Sequence, residues 1–166
     1  MTDRTAAIAI VTILALGCMG SCMEEPAFAA DRVGPSAAYP PAAIVGALDP
    51  AVIQQTIHRT ICVAGYYTST VRAVSEATKR AVLKRDGATT PSEVDHFVSL
   101  EIGGSNDPGK NLWAEPYAGQ YGARVKDVVE TALHRLICAD RMTLQQAQSC
   151  IATDWIACGR KIGALK

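Results

Sequence analysis

The chain has 166 residues, with 16 basic and 16 acidic side chains, so its formal net charge is zero. It contains no internal repeats and no blocks of like charge, which excludes a repeat array and a charged tail. A balance this close to neutral argues neither for nor against a polyanionic partner.

The first predicted element is an export signal. Thr5 to Gly20 form an uncharged, mostly apolar run behind Arg4, and Ala27-Phe28-Ala29 supplies a small-x-small cleavage site. The run is 16 residues long, shorter than the ~20 residues that a membrane-spanning helix needs. We therefore predict a signal peptide over residues 1–29 and a protein exported to the periplasm or the exterior. The alternative is a lipoprotein, because the stretch ending at Cys18 looks like a lipobox.

The remaining chain is expected to form one domain. Residues 31–48 are rich in Pro, Gly and Ala, so we predict a linker over residues 30–48 and a folded domain over residues 49–166. Removing residues 1–29 takes away one basic and three acidic residues. This leaves 16 − 1 = 15 basic and 16 − 3 = 13 acidic residues, a net charge of +2. Such a domain is large enough for a modest core.

Four cysteines remain after the signal, and none is part of a Cys-x-x-Cys pair, so we do not expect a cysteine-built zinc site. An even number in an exported chain predicts disulfides. We favour Cys62–Cys138, since both follow an apolar residue and lie far apart in sequence. Cys150 and Cys158 are separated by eight residues, which span ~12 Å in a continuous helix, beyond the reach of a disulfide. That pair requires a helix break near Asp154.

The pattern of apolar residues predicts an α+β fold, mostly helical around a small β-hairpin that is followed by a helix, and stapled by disulfides. In chain order we expect a short helix over 49–56, a β-leaning segment over 60–67, a helix over 74–85, a strand over 94–102, a second apolar piece over 111–113, a long helix over 122–138 and a last helix over 144–153. The long helix is expected to bury Val125, Val128, Val129 and the apolar residues that follow at three- and four-residue spacing.

The densest set of chemically active residues lies on the predicted hairpin. Asp95-His96 end the first strand, a Gly-Gly turn follows, and Asn111 opens the second strand. A carboxylate beside an imidazole suits metal-assisted hydrolysis, with Asp95 holding a hard divalent cation. His96 would then take the proton from an attacking water, and the cation would stabilise charge on a phosphate.

The stretch VDHFVSLEIGGSNDPGKNLW resembles the HNH endonuclease motif, the ββα-metal unit. From about Thr60 to Trp155 the chain is similar to small exported bacterial HNH-like proteins, which share its TICV-G-Y start, its NLW-EP segment, a KD-bearing helix and a late IATDW. The resemblance implies an endonuclease that hydrolyses phosphodiester bonds of nucleic acid, with DNA the expected substrate and Mg, Mn or Zn as the cation. It implies that Asp95 binds metal, His96 is the general base and Asn111 braces the loop.

One element of that motif is missing. The family carries a second metal ligand, a His or Asn, in the first turns of the closing helix, whereas this chain has Gly122 at about that place. Asp127 is our candidate for a substitute ligand. Two hypotheses follow: a metal-dependent nuclease, or an exported binding or structural module that has lost the chemistry. His134, four residues after Glu130, is a further possible ligand, although ordinary helical pairs share that spacing.

Overall fold

The computed structural model describes residues 38–166. The predicted signal peptide, Cys18 and the first part of the linker lie outside these residues. The described chain forms three helices and one two-stranded antiparallel sheet. These elements are α1 (Glu76–Arg85), β1 (Ser92–His96), β2 (Leu112–Pro116), α2 (Ala123–Cys138) and α3 (Leu144–Lys161), with single 3-10 turns at Ile57–Arg59, Thr68–Thr70 and Leu100–Ile102. The predicted α+β class, with a small hairpin followed by a helix, is confirmed.

The hairpin is shorter than the sequence predicted, because the chain leaves β1 after His96. That residue pairs with Leu112, and Ser92 pairs with Pro116 at the other end of the ladder. The hydroxyl of Ser99 accepts a hydrogen bond from the backbone N–H of Glu101, which starts the 3-10 turn instead of further strand. Gly103 then takes a φ of 79°, a left-handed conformation suited to glycine.

The helix predicted over 49–56 and the strand predicted over 60–67 do not form. The Asp49 carboxylate accepts the N–H of Ala51 at 2.9 Å, and the Thr56 hydroxyl bonds to the backbone of Ile53. Such local side-chain bonds compete with regular helix hydrogen bonds. Ile57 and Ile61 are buried, so this segment packs against the core through these side chains without forming a regular helix or strand.

The second part of the predicted linker belongs to the folded unit. Ala38 and Ile44 are buried in the core, and the Trp155 indole N–H donates to the Ala38 carbonyl at 2.7 Å. Leu48 forms an isolated bridge with Gly104. The Pro41 carbonyl accepts the N–H of Ile44 in a tight turn, and Pro40 and Gly46 are buried, so these residues do not mark a free linker.

Helices α2 and α3 pack together over the main core, and their packing corrects the predicted face of α2. Val129, Leu133 and Ile137 are buried as expected, but Val128 is 51% exposed. Lys126 and Glu130 take the buried positions one turn apart instead. The helix is thus rotated relative to the purely apolar prediction, and it turns two charged side chains toward the hairpin.

The predicted Cys62–Cys138 disulfide is present, and so is the Cys150–Cys158 disulfide, which the sequence had left open. Cys62 and Cys138 join the amino-terminal segment to the end of α2 across a Cα–Cα distance of 5.3 Å. Cys150 and Cys158 have the same Cα–Cα distance within α3. Their approach depends on a helix break at Asp154, the condition that the sequence set for this pair, and the φ of −157° and ψ of 96° of Asp154 are non-helical. Asp154 Oδ1 accepts the N–H groups of Ile156 and Ala157, so this carboxylate caps the second half of the helix.

Two disulfides are typical of proteins that mature in an oxidising environment outside the cytoplasm. No helix within residues 38–166 combines the length and the apolar character needed to cross a membrane.

Candidate functional site

Asn111 holds the loop that connects the two strands. Its side-chain oxygen accepts the N–H of Val98 at 2.8 Å, and its side-chain nitrogen donates to the carbonyls of Val98 and Ser105. All three bonds are made by a fully buried side chain. This is the loop-bracing geometry that the resemblance implied for Asn111.

His96 is buried beneath the loop, with 1% of its surface exposed. Its Nε2 lies 3.0 Å from Asn106 Oδ1, an oxygen that also accepts the N–H of Ala73. Because an amide oxygen only accepts, Nε2 carries the ring proton and Nδ1 carries the lone pair. That Nδ1 has no hydrogen-bond partner among the described residues, and it lies 3.9 Å from Asp95 Oδ1.

Asp95 is held by a buried ammonium group from α2. Lys126 Nζ lies 3.0 Å from Asp95 Oδ2 and 2.9 Å from the His96 carbonyl oxygen, and it also bonds to Glu130 Oε1. Arg72 approaches the same carboxylate from the solvent side, with Nη2 3.4 Å from Oδ1. Burial alone would raise the pKa of Asp95, but the charge of Lys126 and the hydrogen bond from its ammonium group hold that pKa well below its usual value.

Two further carboxyl groups surround Lys126. Glu115 Oε2 lies 3.5 Å from Nζ, and burial raises the pKa of Glu115 to about 8 despite the charge of Lys126. Burial raises the pKa of Glu130 to about 7 in the same way. Burial alone would lower the pKa of Lys126, but the three carboxyl groups raise it well above its usual value. The centre is therefore a charged lysine facing one ionised aspartate and two glutamates whose pKa values burial raises to about 7 and about 8.

Asp127, the residue we had considered as a substitute metal ligand, does not enter this cluster. Successive residues on a helix are about 100° apart around its axis, so burying Lys126 turns its neighbour toward the surface. The Asp127 side chain is 46% exposed and faces Arg124, with 3.8 Å between the charged atoms. Burial, followed by the charge of Asp95, raises its pKa.

The residues around Asp95 do not fit a divalent cation. The oxygen atoms present are suitable ligands in kind, but Lys126 Nζ already lies at hydrogen-bond distance from Asp95 and from the His96 carbonyl. A second cation among the same oxygens would be repelled by the ammonium group at close range. The metal role of Asp95 has no support in this geometry, and we derive no chemical step through a metal.

A different group of donors could hold a metal ion. Donor atoms of Cys62, His134 and Cys138 lie within 4.8 Å of one another, the sole group of this kind found in residues 38–166. The two sulfurs are joined as a disulfide, so they present no thiolate for a metal in this state. Sequence spacing had not predicted this set, because Cys62 reaches the helix only in the folded chain.

Lys126 is the central residue that the sequence analysis missed, and a signal for it was present. Residues 126, 130, 133 and 137 follow the three- and four-residue spacing of one helix face. Two of them are charged, and opposite charges one turn apart on the face that carries Leu133 and Ile137 indicate a buried pair. The predicted buried face of this helix was drawn from its apolar residues alone, so neither charged residue was assigned to it.

We found no match for this chain among protein-family models, curated proteins or solved structures. The likeness to HNH proteins therefore rests on the sequence motif, and the function must be argued from the geometry of the site.

One consequence of the buried carboxyl groups is a pH dependence of stability. The pKa of Glu115 rises from an ordinary 4.5 to about 8 on folding, so the folded state binds more protons between these values. The free energy of unfolding should then fall as pH increases from 5 to 8. In Glu115→Gln this fall should be smaller by at least about 1.4 kcal/mol, the equivalent of one pKa unit.

Urea unfolding at several pH values measures the effect. The matched control is Glu76→Gln at an exposed position, and the free energy of unfolding of this variant should depend on pH as steeply as that of the unmodified protein. Equal pH slopes in Glu115→Gln and the unmodified protein would contradict the assignment.

Proposed function

We propose that this protein is an exported binding or structural module, built on a hairpin–helix scaffold that resembles the HNH unit and without metal-dependent nuclease activity. The observation that carries the proposal is the 3.0 Å contact between Lys126 Nζ and Asp95 Oδ2. It supports the second of the two hypotheses drawn from the sequence.

The chemistry of an ammonium group differs from that of a metal ion. A bound divalent cation can take a phosphate oxygen or a water molecule into its coordination shell and lower the pKa of that water. Lys126 has only N–H donors, and these are directed at Asp95, Glu130 and the His96 carbonyl. The lysine therefore supplies the positive charge that stabilises the buried carboxylate, without an open position for a substrate.

The burial of His96 also supports the module proposal, because it limits the access of a substrate. A general base must come within about 3 Å of the proton that it removes, directly or through one water. The Nδ1 atom of His96 is fully enclosed, and Arg72 covers the outer side of Asp95. Asn106 ties the segment that carries Arg72 to the hairpin, through Val71 and Ala73. A phosphodiester has no path to the imidazole in this conformation.

The nuclease hypothesis remains the second candidate, and the bracing of the loop by Asn111 is the observation that favours it. For His96 to act as the base, the segment around Arg72 would have to open and a cation would have to displace Lys126. The substrate would be nucleic acid, with DNA the first choice, and the cation Mg, Mn or Zn.

An assay of plasmid nicking distinguishes the module proposal from the nuclease hypothesis. The full chain, expressed with its own amino-terminal segment and purified as the cell processes it, is incubated with supercoiled DNA and Mg²⁺, Mn²⁺ or Zn²⁺. We expect no nicking above that of His96→Ala or of buffer with the same cation. Cation-dependent nicking that is abolished in His96→Ala, but kept in the exposed control His58→Ala, would overturn the module proposal in favour of the nuclease.

A further inference from the structure

The carboxyl end of α2 brings two cysteine sulfurs and one imidazole together. His134 and Cys138 lie one turn apart on the helix, and Cys62 reaches them from the amino-terminal segment. Their donor atoms are within 4.8 Å of one another. Cysteine sulfur and imidazole nitrogen are the usual zinc ligands in proteins, and a pair spaced i, i+4 on a helix places both side chains on one face.

The imidazole of His134 is already oriented. Its Nε2 lies 2.9 Å from the Ile61 carbonyl oxygen, and since a carbonyl only accepts, Nε2 carries the proton. The lone pair is then on Nδ1. Metal-binding histidines are commonly held in this way, with the second ring N–H donated to a backbone carbonyl. The Tyr66 ring, 6.0 Å away between centroids, restricts the imidazole further.

The cysteines provide thiolates only after reduction. A dithiol reductant transfers two electrons and two protons to the Cys62–Cys138 bond, which breaks to give two thiols while the reductant becomes a disulfide. A Zn²⁺ ion then displaces the two thiol protons and binds two thiolates and one neutral imidazole. The charges of the ion and of the two thiolates cancel, so the half-buried site gains no net charge.

The distances allow this exchange with small movements. Two sulfurs bound tetrahedrally at ~2.3 Å from zinc are about 3.8 Å apart. The Cα atoms of Cys62 and Cys138 are 5.3 Å apart, a separation that side-chain rotation can adapt to either state. Residues of the second pair, Cys150 and Cys158, belong to no such donor group in the part of the chain that the structure describes.

We propose that the reduced protein binds one zinc ion through Cys62, His134 and Cys138, with water as the fourth ligand. The metal then links the amino-terminal segment to α2 before the disulfide forms, and oxidation releases it. This site is separate from the Asp95–Lys126 cluster and independent of the function proposed above.

The test is metal binding by the full chain, purified as the cell processes it, after reduction with a phosphine that is then removed under nitrogen. Zn²⁺ is titrated in competition with a chromophoric chelator, and Co²⁺ serves as a spectroscopic probe of thiolate coordination. We expect one zinc per reduced chain, none per oxidised chain, and cobalt–thiolate charge-transfer absorption. His134→Ala should weaken zinc binding at least about tenfold, whereas the control His58→Ala should not.

Two double variants test whether the other thiols account for zinc binding. Cys62→Ser/Cys138→Ser keeps Cys150 and Cys158 and should lose zinc binding, while Cys150→Ser/Cys158→Ser should keep it when circular dichroism reports an intact fold. The proposal is overturned if the reduced protein binds no zinc, if His134→Ala and His58→Ala bind it equally, or if binding follows Cys150 and Cys158 instead.

Discussion

Replacing Lys126 by methionine is expected to lower the free energy of unfolding by about 3–5 kcal/mol at pH 7, the usual effect of removing one partner from a buried ion pair. Methionine nearly preserves the volume of the side chain, so the loss reports the missing charge and hydrogen bonds to Asp95, Glu130 and the His96 carbonyl. Urea unfolding followed by circular dichroism gives the value. Lys79→Met, which removes an exposed pair with Glu76, should change it by less than about 1 kcal/mol.

A comparison of Lys126→Ala with Lys126→Met tests whether a cation can replace the ammonium group. Lys126→Ala should also be destabilised, but it leaves space between Asp95, Glu115 and Glu130, whose oxygens suit a hard cation. Added Ca²⁺ or Mg²⁺ should then raise the melting temperature of Lys126→Ala and leave that of Lys126→Met and the unmodified protein unchanged. A cation-induced rise in the unmodified protein would contradict the idea that Lys126 stands in the position of a metal.

Removal of the Cys62–Cys138 disulfide is expected to have the second large effect. Its residues are 76 positions apart, and the chain-entropy model gives a stabilisation of about 4.5 kcal/mol for such a loop. The Cys150–Cys158 bond closes a loop of only eight positions, for which the same model gives about 2.5 kcal/mol. Cys62→Ser/Cys138→Ser should therefore lose more unfolding free energy than Cys150→Ser/Cys158→Ser.

Unfolding in urea under oxidising, zinc-free conditions measures both variants against the unmodified protein. Both double variants replace two cysteines by two serines. Each therefore serves as the control for the effect of serine polarity in the other variant. An equal loss in both, or a larger loss for the short loop, would mean that loop length does not set the contribution of these bonds.

The sequence by itself determined the parts of this protein that depend on local signals. The long apolar pattern before Cys138 predicted a helix over 122–138, and α2 covers Ala123–Cys138. For Cys150 and Cys158 the sequence supplied only a condition, a break near Asp154, since a continuous helix keeps these residues too far apart; the structure has both the break and the bond. Apolar spacing and the reach of a disulfide along a helix act over a few residues, so they can be read along the chain.

The tertiary structure alone decided what surrounds Asp95. The rotation of α2 about its axis selects Lys126 over Asp127 as the neighbour of that carboxylate, and this rotation follows from packing against α3 and the 3-10 turn Leu100–Ile102. The approach of Cys62 to His134 depends in the same way on a contact between distant segments. The motif predicted which residues stand on the hairpin, but the burial of an ammonium group beside Asp95 is a property of the packed core, where a cation is stable only because several carboxyl groups meet there.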